Sequence, residues 1–182
     1  MKKKNYILPD SIDGEMLKIL RSRLKMSQRE IAELFHVSKS TIERWESGHM
    51  RLQGPAVFLV KLLWEKPELI EEIEVPERNT PLRLWYMYRQ MVCTVIDVDE
   101  PNSKVKIYNY TDRLQYRAFG KIEKPTFKQY EEFLEERCFP ESRDKMKLLL
   151  KEMGLPFYDP FLIIEKTEGR MAEDDFWLKI ER

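Results

Sequence analysis

Cysteine and histidine are scarce, two of each in 182 residues. Cys93 and Cys138 cannot form a disulfide framework, and with no CxxC pair the spacing for a zinc site is missing. Both read as inert buried thiols. His36 and His49 lie in the first half, too isolated to ligate a metal. No Ser-His-Asp or Cys-His arrangement can therefore be assembled in the second half. Glycine is sparse as well, six residues scattered singly, which leaves no glycine-rich loop to cradle a phosphate. The apolar runs, such as residues 161–164, fall far short of the ~20 residues of a membrane helix. The basic start Met1-Lys-Lys-Lys is not followed by an apolar secretory segment. These absences predict a cytoplasmic protein with no metal, no cofactor and no membrane contact. No catalytic residues, and hence no enzyme, are expected.

Net charge is absent too, with 32 basic and 32 acidic side chains. The balance hides a division. Residues 1–66 hold 13 Lys and Arg against 8 Asp and Glu, a surplus of +5, whereas residues 67–182 hold 19 against 24, or −5. Such asymmetry points to one half that faces nucleic acid and another with a different task.

With 42% hydrophobic residues the chain has material for a packed core. In the first half that material is spaced for helices. Met16, Leu17, Leu20 and Leu24 paint one face of residues 13–25. Ser27-Gln-Arg-Glu30 is a capping box, in which the serine accepts from the backbone of Glu30 and Glu30 reaches back. Ile31, Leu34 and Phe35 form the inner face of the helix it starts. Ser38 caps a further helix over residues 39–46, with Ile42 and Trp45 inward and Gly48 as its left-handed stop. Pro55 suits the first turn of a helix over residues 55–64, and a short one follows at 67–73.

The segment from Glu74 to Pro81 holds two prolines and several polar residues and reads as a linker. Beyond it a helical patch is expected at 82–90. Strands are expected at 92–98 and 104–108, joined by the turn Asp99-Glu-Pro-Asn-Ser103, with a third strand at 114–119. Helices return at 126–138, with Thr126 and Gln129 as a second capping box, and at 142–153. Short helical pieces at 160–166 and 173–176 precede a final Trp177-Leu-Lys-Ile.

The run Met26-Ser-Gln-Arg-Glu-Ile-Ala-Glu-Leu-Phe-His-Val-Ser-Lys-Ser-Thr-Ile-Glu-Arg-Trp-Glu-Ser-Gly48 is the strongest signal. Two short helices locked by apolar residues across a tight turn make a helix-turn-helix. It resembles the phage-repressor or XRE class, and within it the helix-turn-helix portion of MqsA-type antitoxins. The similarity continues through Gly54-Pro-Ala56 to Pro67-Glu-Leu69 and spans residues 17–70. His36 departs from the glycine the family usually places in a left-handed turn, a position histidine tolerates. No counterpart of the zinc-binding domain of the MqsA proteins is expected. The predicted architecture is mainly α: a five-helix helix-turn-helix domain over residues 1–74 and, over residues 82–182, an α+β domain with a small antiparallel sheet.

The resemblance implies that the second helix of the motif enters the major groove of double-stranded DNA. With Ile42 and Trp45 inward, Lys39, Ser40 and Arg44 are the candidates for base contacts. Lys39 and Arg44 can donate to guanine O6 and N7, and Ser40 can pair with several bases. Gln28 and Thr41 match family positions that touch phosphate, and Arg29, Ser47 and Arg51 are candidates for further backbone contacts. The plain alternative is that Lys39 and Arg44 only solvate a helix. A single motif reads few base pairs, so a homodimer on an inverted-repeat operator is expected, its contacts supplied largely by the second half.

In the second half, Glu136-Arg-Cys-Phe-Pro-Glu-Ser-Arg143, a helix ending at Gly154, and the end Asp175-Phe-Trp-Leu178 resemble a leader segment. Such a segment precedes the kinase domain of some HipA-like proteins. No kinase domain is expected with it, and no kinase activity. Arg137, Arg143, Asp175 and Trp177 read either as a surface for a protein partner of residues 82–182 or as a local capping cluster, and the second reading is preferred. Glu173-Asp-Asp175 suits a helix start better than a cation, and Asp97, Asp99, Glu100 and Lys104 fall on one hairpin turn, unlike a nuclease set. The expected function is a sequence-specific transcriptional regulator, an autorepressor or antitoxin. The alternative is a protein-binding inhibitor, anti-defence or toxin-neutralising, whose activity lies in the C-terminal domain.

Overall fold

The computed structural model describes residues 7–182 and resolves two compact units, Met1–Glu74 and Val75–Arg182. In the first, α1 (Gly14–Arg23) starts where the Asp13 side chain accepts from the Met16 N–H at 3.0 Å. Its Leu17 and Leu20 are fully buried. The Ser27/Glu30 box forms and opens α2 (Gln28–Leu34). His36 turns the chain at φ 50°, and Ser38 caps α3 (Lys39–Glu46) through the Thr41 N–H. Helices α4 (Pro55–Glu65) and α5 (Leu69–Ile73) complete the unit, α5 starting two residues after Pro67. A two-residue ladder between β1 (Ser11–Ile12) and β2 (Leu52–Gln53), unforeseen because neither piece carries a strand-length pattern, ties the entry of α1 to the segment before α4.

Leu17, Leu20, Ile31, Ile42, Leu52 and Val60 make the inaccessible centre of this core. Gly14 is required by close approach: a Cβ there would lie 1.7 Å from the Trp45 carbonyl oxygen. The start of α1 is thereby pressed against the end of α3. The polar side of the same junction is an ion pair. Arg21 donates from Nε and Nη2 to Glu46 at 2.7 and 3.1 Å, while the Gln28 amide donates to the same carboxylate at 2.8 Å. Burial alone would push the Glu46 carboxyl up, but the hydrogen bonds from Arg21 and Gln28, with the charges of Arg21 and Lys18, outweigh it and hold it below the usual carboxylate range.

The second unit is built on an antiparallel sheet in the order β5-β4-β3-β6, so the chain as a whole is mixed α and β. Its strands are β3 (Leu82–Tyr88), β4 (Met91–Asp99), β5 (Lys104–Asn109) and β6 (Phe176–Glu181). Residues 82–90, expected to be helical, therefore begin with the central strand. β3 is nearly buried throughout, and a strand covered on both faces loses the alternation that would identify it. The strand expected at 114–119 is a 3-10 turn at Leu114–Tyr116, with Leu114 exposed and no strand beside it. Residues 173–175 are not helical; they lead directly into β6.

Helices α6 (Phe127–Glu136), α7 (Met146–Met153) and α8 (Pro160–Thr167) supply the rest of the core, with Tyr130, Ile163 and Ile164 packed against Leu84, Ile96 and Leu178. The Thr126/Gln129 box caps α6, whereas α7 starts four residues later than expected. The linker segment is not free. Arg78 donates to the Glu181 carbonyl at 3.0 Å. Two buried arginines pin the sheet. Arg83 pairs with Asp97 across β3 and β4 at 2.5 and 2.8 Å. Arg137 holds Asp174 in two bonds at 2.6 and 3.1 Å and also donates to the Gly169 and Phe176 carbonyls.

Removing one partner of a mostly buried ion pair leaves the other charge uncompensated. Glu46→Ala should cost about 2–3 kcal/mol of unfolding free energy, given that Arg21 keeps some contact with solvent. Because the folded carboxyl titrates below its ordinary value of 4.5, this contribution is complete above that pH and is lost as the pH falls below it. Urea titrations from pH 7 to pH 3 should show the wild type losing part of its advantage over the variant. The opposite sign is expected at Tyr130, whose hydroxyl is buried with no hydrogen-bond partner among the described residues. Tyr130→Phe should be neutral or stabilising by about 1 kcal/mol in the same titrations.

Candidate nucleic-acid interface

Position on α3 divides its side chains. Ile42 and Trp45 are buried, Thr41 is half-buried, and Lys39, Ser40, Glu43 and Arg44 face solvent. Trp45 is a core residue, and its indole has no access to a base. The three candidate base-contacting residues therefore share one exposed face, but their states differ. Lys39 is held by Glu43 one turn on, Nζ to carboxylate 2.6 Å. The Ser38 hydroxyl lies 2.8 Å from both Ser40 Oγ and Thr41 Oγ1, a small hydroxyl cluster at the helix start. Arg44 makes no side-chain hydrogen bond or ion pair among the described residues, so its guanidinium is unoccupied. Glu43 was not singled out from sequence, although its i,i+4 spacing from Lys39 is a readable signal.

The candidate phosphate-contacting residues lie around this face. Gln28 is the first residue of α2, and its amide nitrogen is engaged by Glu46. That leaves its second amide N–H and the free backbone N–H groups of the helix start to face an anion. Arg29 pairs with Glu33 at 3.2 Å on an exposed turn. Ser47 donates to the Arg44 carbonyl at 3.2 Å, its oxygen lies 2.7 Å from His49 Nδ1, and Arg51 is exposed.

The four residues assigned to a partner surface are separated by burial. Arg137 is buried with its donors committed internally, so it holds the fold and offers nothing to dock on. Asp175 and Trp177 meet at Arg89, which pairs with the carboxylate at 2.8 Å and accepts from the indole Nε1 at 2.6 Å through its carbonyl. Arg170 covers the Trp177 ring at 4.8 Å. Arg143 lies over Phe139 and has no hydrogen bond to the other three among the described residues. Asp97 is committed to Arg83 and Asp99 to Asn102, which removes both from the carboxylate set weighed earlier.

Helices α2 and α3, with a left-handed turn between them and a shared core, define the class as helix-turn-helix. Residues 2–74 match the family described as the antitoxin component of a bacterial toxin-antitoxin system, MqsA. The chain is also 37% identical over 67 residues to the antitoxin HigA-2 of Vibrio cholerae serotype O1. That similarity covers 37% of this chain and 60% of the relative, so the chain spans about three fifths of the length of the curated protein it matches. The N-terminal unit is a helix-turn-helix domain similar to those of the antitoxins it matches. The family match stops at residue 74, and the resemblance of Glu136–Leu178 to a HipA-like leader rests on its motif alone.

If Glu43 competes with DNA for the Lys39 ammonium, its neutralisation should release that charge. Glu43→Gln is expected to tighten binding to DNA of any sequence and to steepen the salt dependence by about one counterion. Fluorescence anisotropy on a random duplex at three salt concentrations measures both.

Proposed function

We propose that this protein is a sequence-specific DNA-binding regulator of the antitoxin kind, which reads its own operator through α3 and represses transcription there. The observation that carries the reading is the exposed, uncommitted Arg44 on the outward face of α3, beside Lys39 and Ser40. A guanidinium so presented can make the bidentate contact to guanine that dominates major-groove readout. Gln28, Arg29, Thr41, Ser47 and Arg51 position the helix by contacts to phosphate. Specificity comes from two copies on an inverted repeat, with half-sites about 34 Å apart. Both matches carry antitoxin in their descriptions; by that analogy the protein partner is a toxin, and residues 82–182, outside the family match, are the part free to bind it. The role is one of binding, without catalysis. Arg143, Asp175 and Trp177 remain the exposed members of the proposed partner surface.

Arg44→Ala should lose about 1–3 kcal/mol on the operator and relax discrimination at the base it reads, whereas Gln28→Ala should weaken specific and random duplexes alike. Both are read by anisotropy at matched salt on the chain's own promoter. An unchanged operator affinity for Arg44→Ala would remove α3 from the groove.

A further inference from the structure

The sheet of the second unit has two edges, and they are treated differently. At β6 the outer edge is covered in part: the Leu178 N–H donates to the Glu168 carbonyl at 2.7 Å, and Arg137 donates to the Phe176 carbonyl at 3.0 Å. At β5 no strand lies beyond, and no backbone bond outside the ladder to β4 is made by residues 104–109 among those described. The ladder fixes which groups are left over. Tyr110 donates to the Cys93 carbonyl at 2.9 Å, and the register pairs Tyr108 with Val95 and Lys106 with Asp97. Antiparallel bonding alternates, so 104, 106 and 108 face β4, and the N–H and C=O groups of Val105 and Ile107 point outward.

The space beside them is already shaped. A cleft of about 650 Å³ runs along β5, walled on the helix side by Pro125 and Phe127 with the side chains of Val105 and Ile107. On the opposite face of the strand Lys104 and Lys106 are exposed, and Lys124 lines the same cleft. Of the acids lining the cleft, Asp97 is neutralised by Arg83, while Asp99, which accepts from the Asn102 amide, and Glu123 keep their charge against the three lysines. A strand added here meets apolar surface on one face and ammonium groups on the other.

We propose that β5 is a docking edge for an extended segment of another protein, which joins the sheet as a fifth strand. Its side chains alternate between apolar residues toward Phe127 and acidic residues toward Lys104 and Lys106. A second copy of this chain is a poor occupant, because antiparallel pairing of β5 with itself would bring the lysines of both copies together on one face, and like charges opposed across strands repel. The inference rests on the reading of residues 82–182 as the partner-binding half and adds a second surface, at the edge of the sheet opposite to that of Trp177. Operator binding by the same preparations reports separately on the regulator reading.

The test uses the full chain and two fluorescein-labelled hexapeptides, Val-Glu-Ile-Glu-Val-Glu and its counterpart with lysine in place of glutamate. Anisotropy should show the acidic peptide binding at least about tenfold more tightly. Hydrogen exchange should show protection gained at the Val105 and Ile107 amides. The double variant Lys104→Glu with Lys106→Glu, confined to the surface, should reverse the preference. Val105→Pro removes one outward N–H at an edge position where proline is compatible with a sheet and should abolish binding. Should that variant fail to fold, the charge reversal carries the test alone. Equal or absent binding of the two peptides, protection away from β5, or β5 protection that grows with protein concentration without peptide would each overturn the proposal.

Discussion

The placement of α3 depends on the carboxylate of Glu46. It sits at the end of that helix and is gripped from two directions, by Arg21 on α1 and by Gln28 at the start of α2. Apolar packing of Ile31 and Ile42 brings α2 and α3 together but is tolerant of small rotations, since dispersion contacts have little directionality. A bidentate arginine is not tolerant, because its fork matches a carboxylate only in a narrow range of angles. Gly14 adds a second constraint nearby, where the start of α1 meets the Trp45 carbonyl with no room for a methyl group. Together they fix the direction in which Lys39, Ser40 and Arg44 are presented. On the proposed reading, an α3 held in place before DNA arrives lowers the cost of binding.

The second unit solves a related problem with a different residue. β3 is central and mostly buried, with Arg83 paired to Asp97 on one face, and the chain must travel from β5 through three helices before β6 returns to pair with it. Arg137 at the end of α6 bonds Gly169, Asp174 and Phe176, which brackets the turn leading into β6. This ties the Arg-x-Phe-Pro-x-Ser-Arg stretch to the Asp-Phe-Trp end although more than thirty residues separate them: Arg137 is satisfied by the Phe176 carbonyl within that end and by the Asp174 carboxylate just before it. The preference for a structural cluster at Arg137 agrees with its burial. Trp177, by contrast, keeps a half-exposed ring under Arg170.

Legibility followed the range of the interaction. Caps and helix faces in the first 74 residues are set by neighbours three or four positions apart, and the Ser27/Glu30 and Thr126/Gln129 boxes form as their spacing indicates. His36 takes the left-handed conformation its place in the turn required. What could not be read depends on distant partners. β3 lacks alternation because its side chains are mostly buried on either face, Leu82, Leu84 and Tyr86 in the core with α6 and α8 and Arg83 in its pair with Asp97. β1 and β2 are two residues each and exist only through one another. The Arg21–Glu46 pair joins positions 25 apart, and nothing local distinguishes these two charges from the many others. At the interface, residue types and helix faces were legible, but the occupancy of Lys39 by Glu43 and of Gln28 by Glu46 emerged only with coordinates.

The charge division between the halves acquires a sharper meaning once the ion pairs are placed. A surplus of five positive charges in residues 1–66 is modest, and several basic groups there already have partners: Arg21 with Glu46, Arg29 with Glu33, Lys39 with Glu43. Each pair cancels one charge of either sign, so the field available to phosphate is still that of the surplus of five, carried by groups such as Arg44 and Arg51, and a surplus of this size gives only a moderate non-specific attraction. On the reading proposed above, an oriented α3 would therefore have to add to what basicity supplies. The surplus acid of residues 67–182 works in the same direction, since it adds no attraction to phosphate. Within that acidic half, the lysines along β5 form a local exception, and a local exception is what a partner strand would sense at contact distance, where net charge is screened beyond about 8–10 Å.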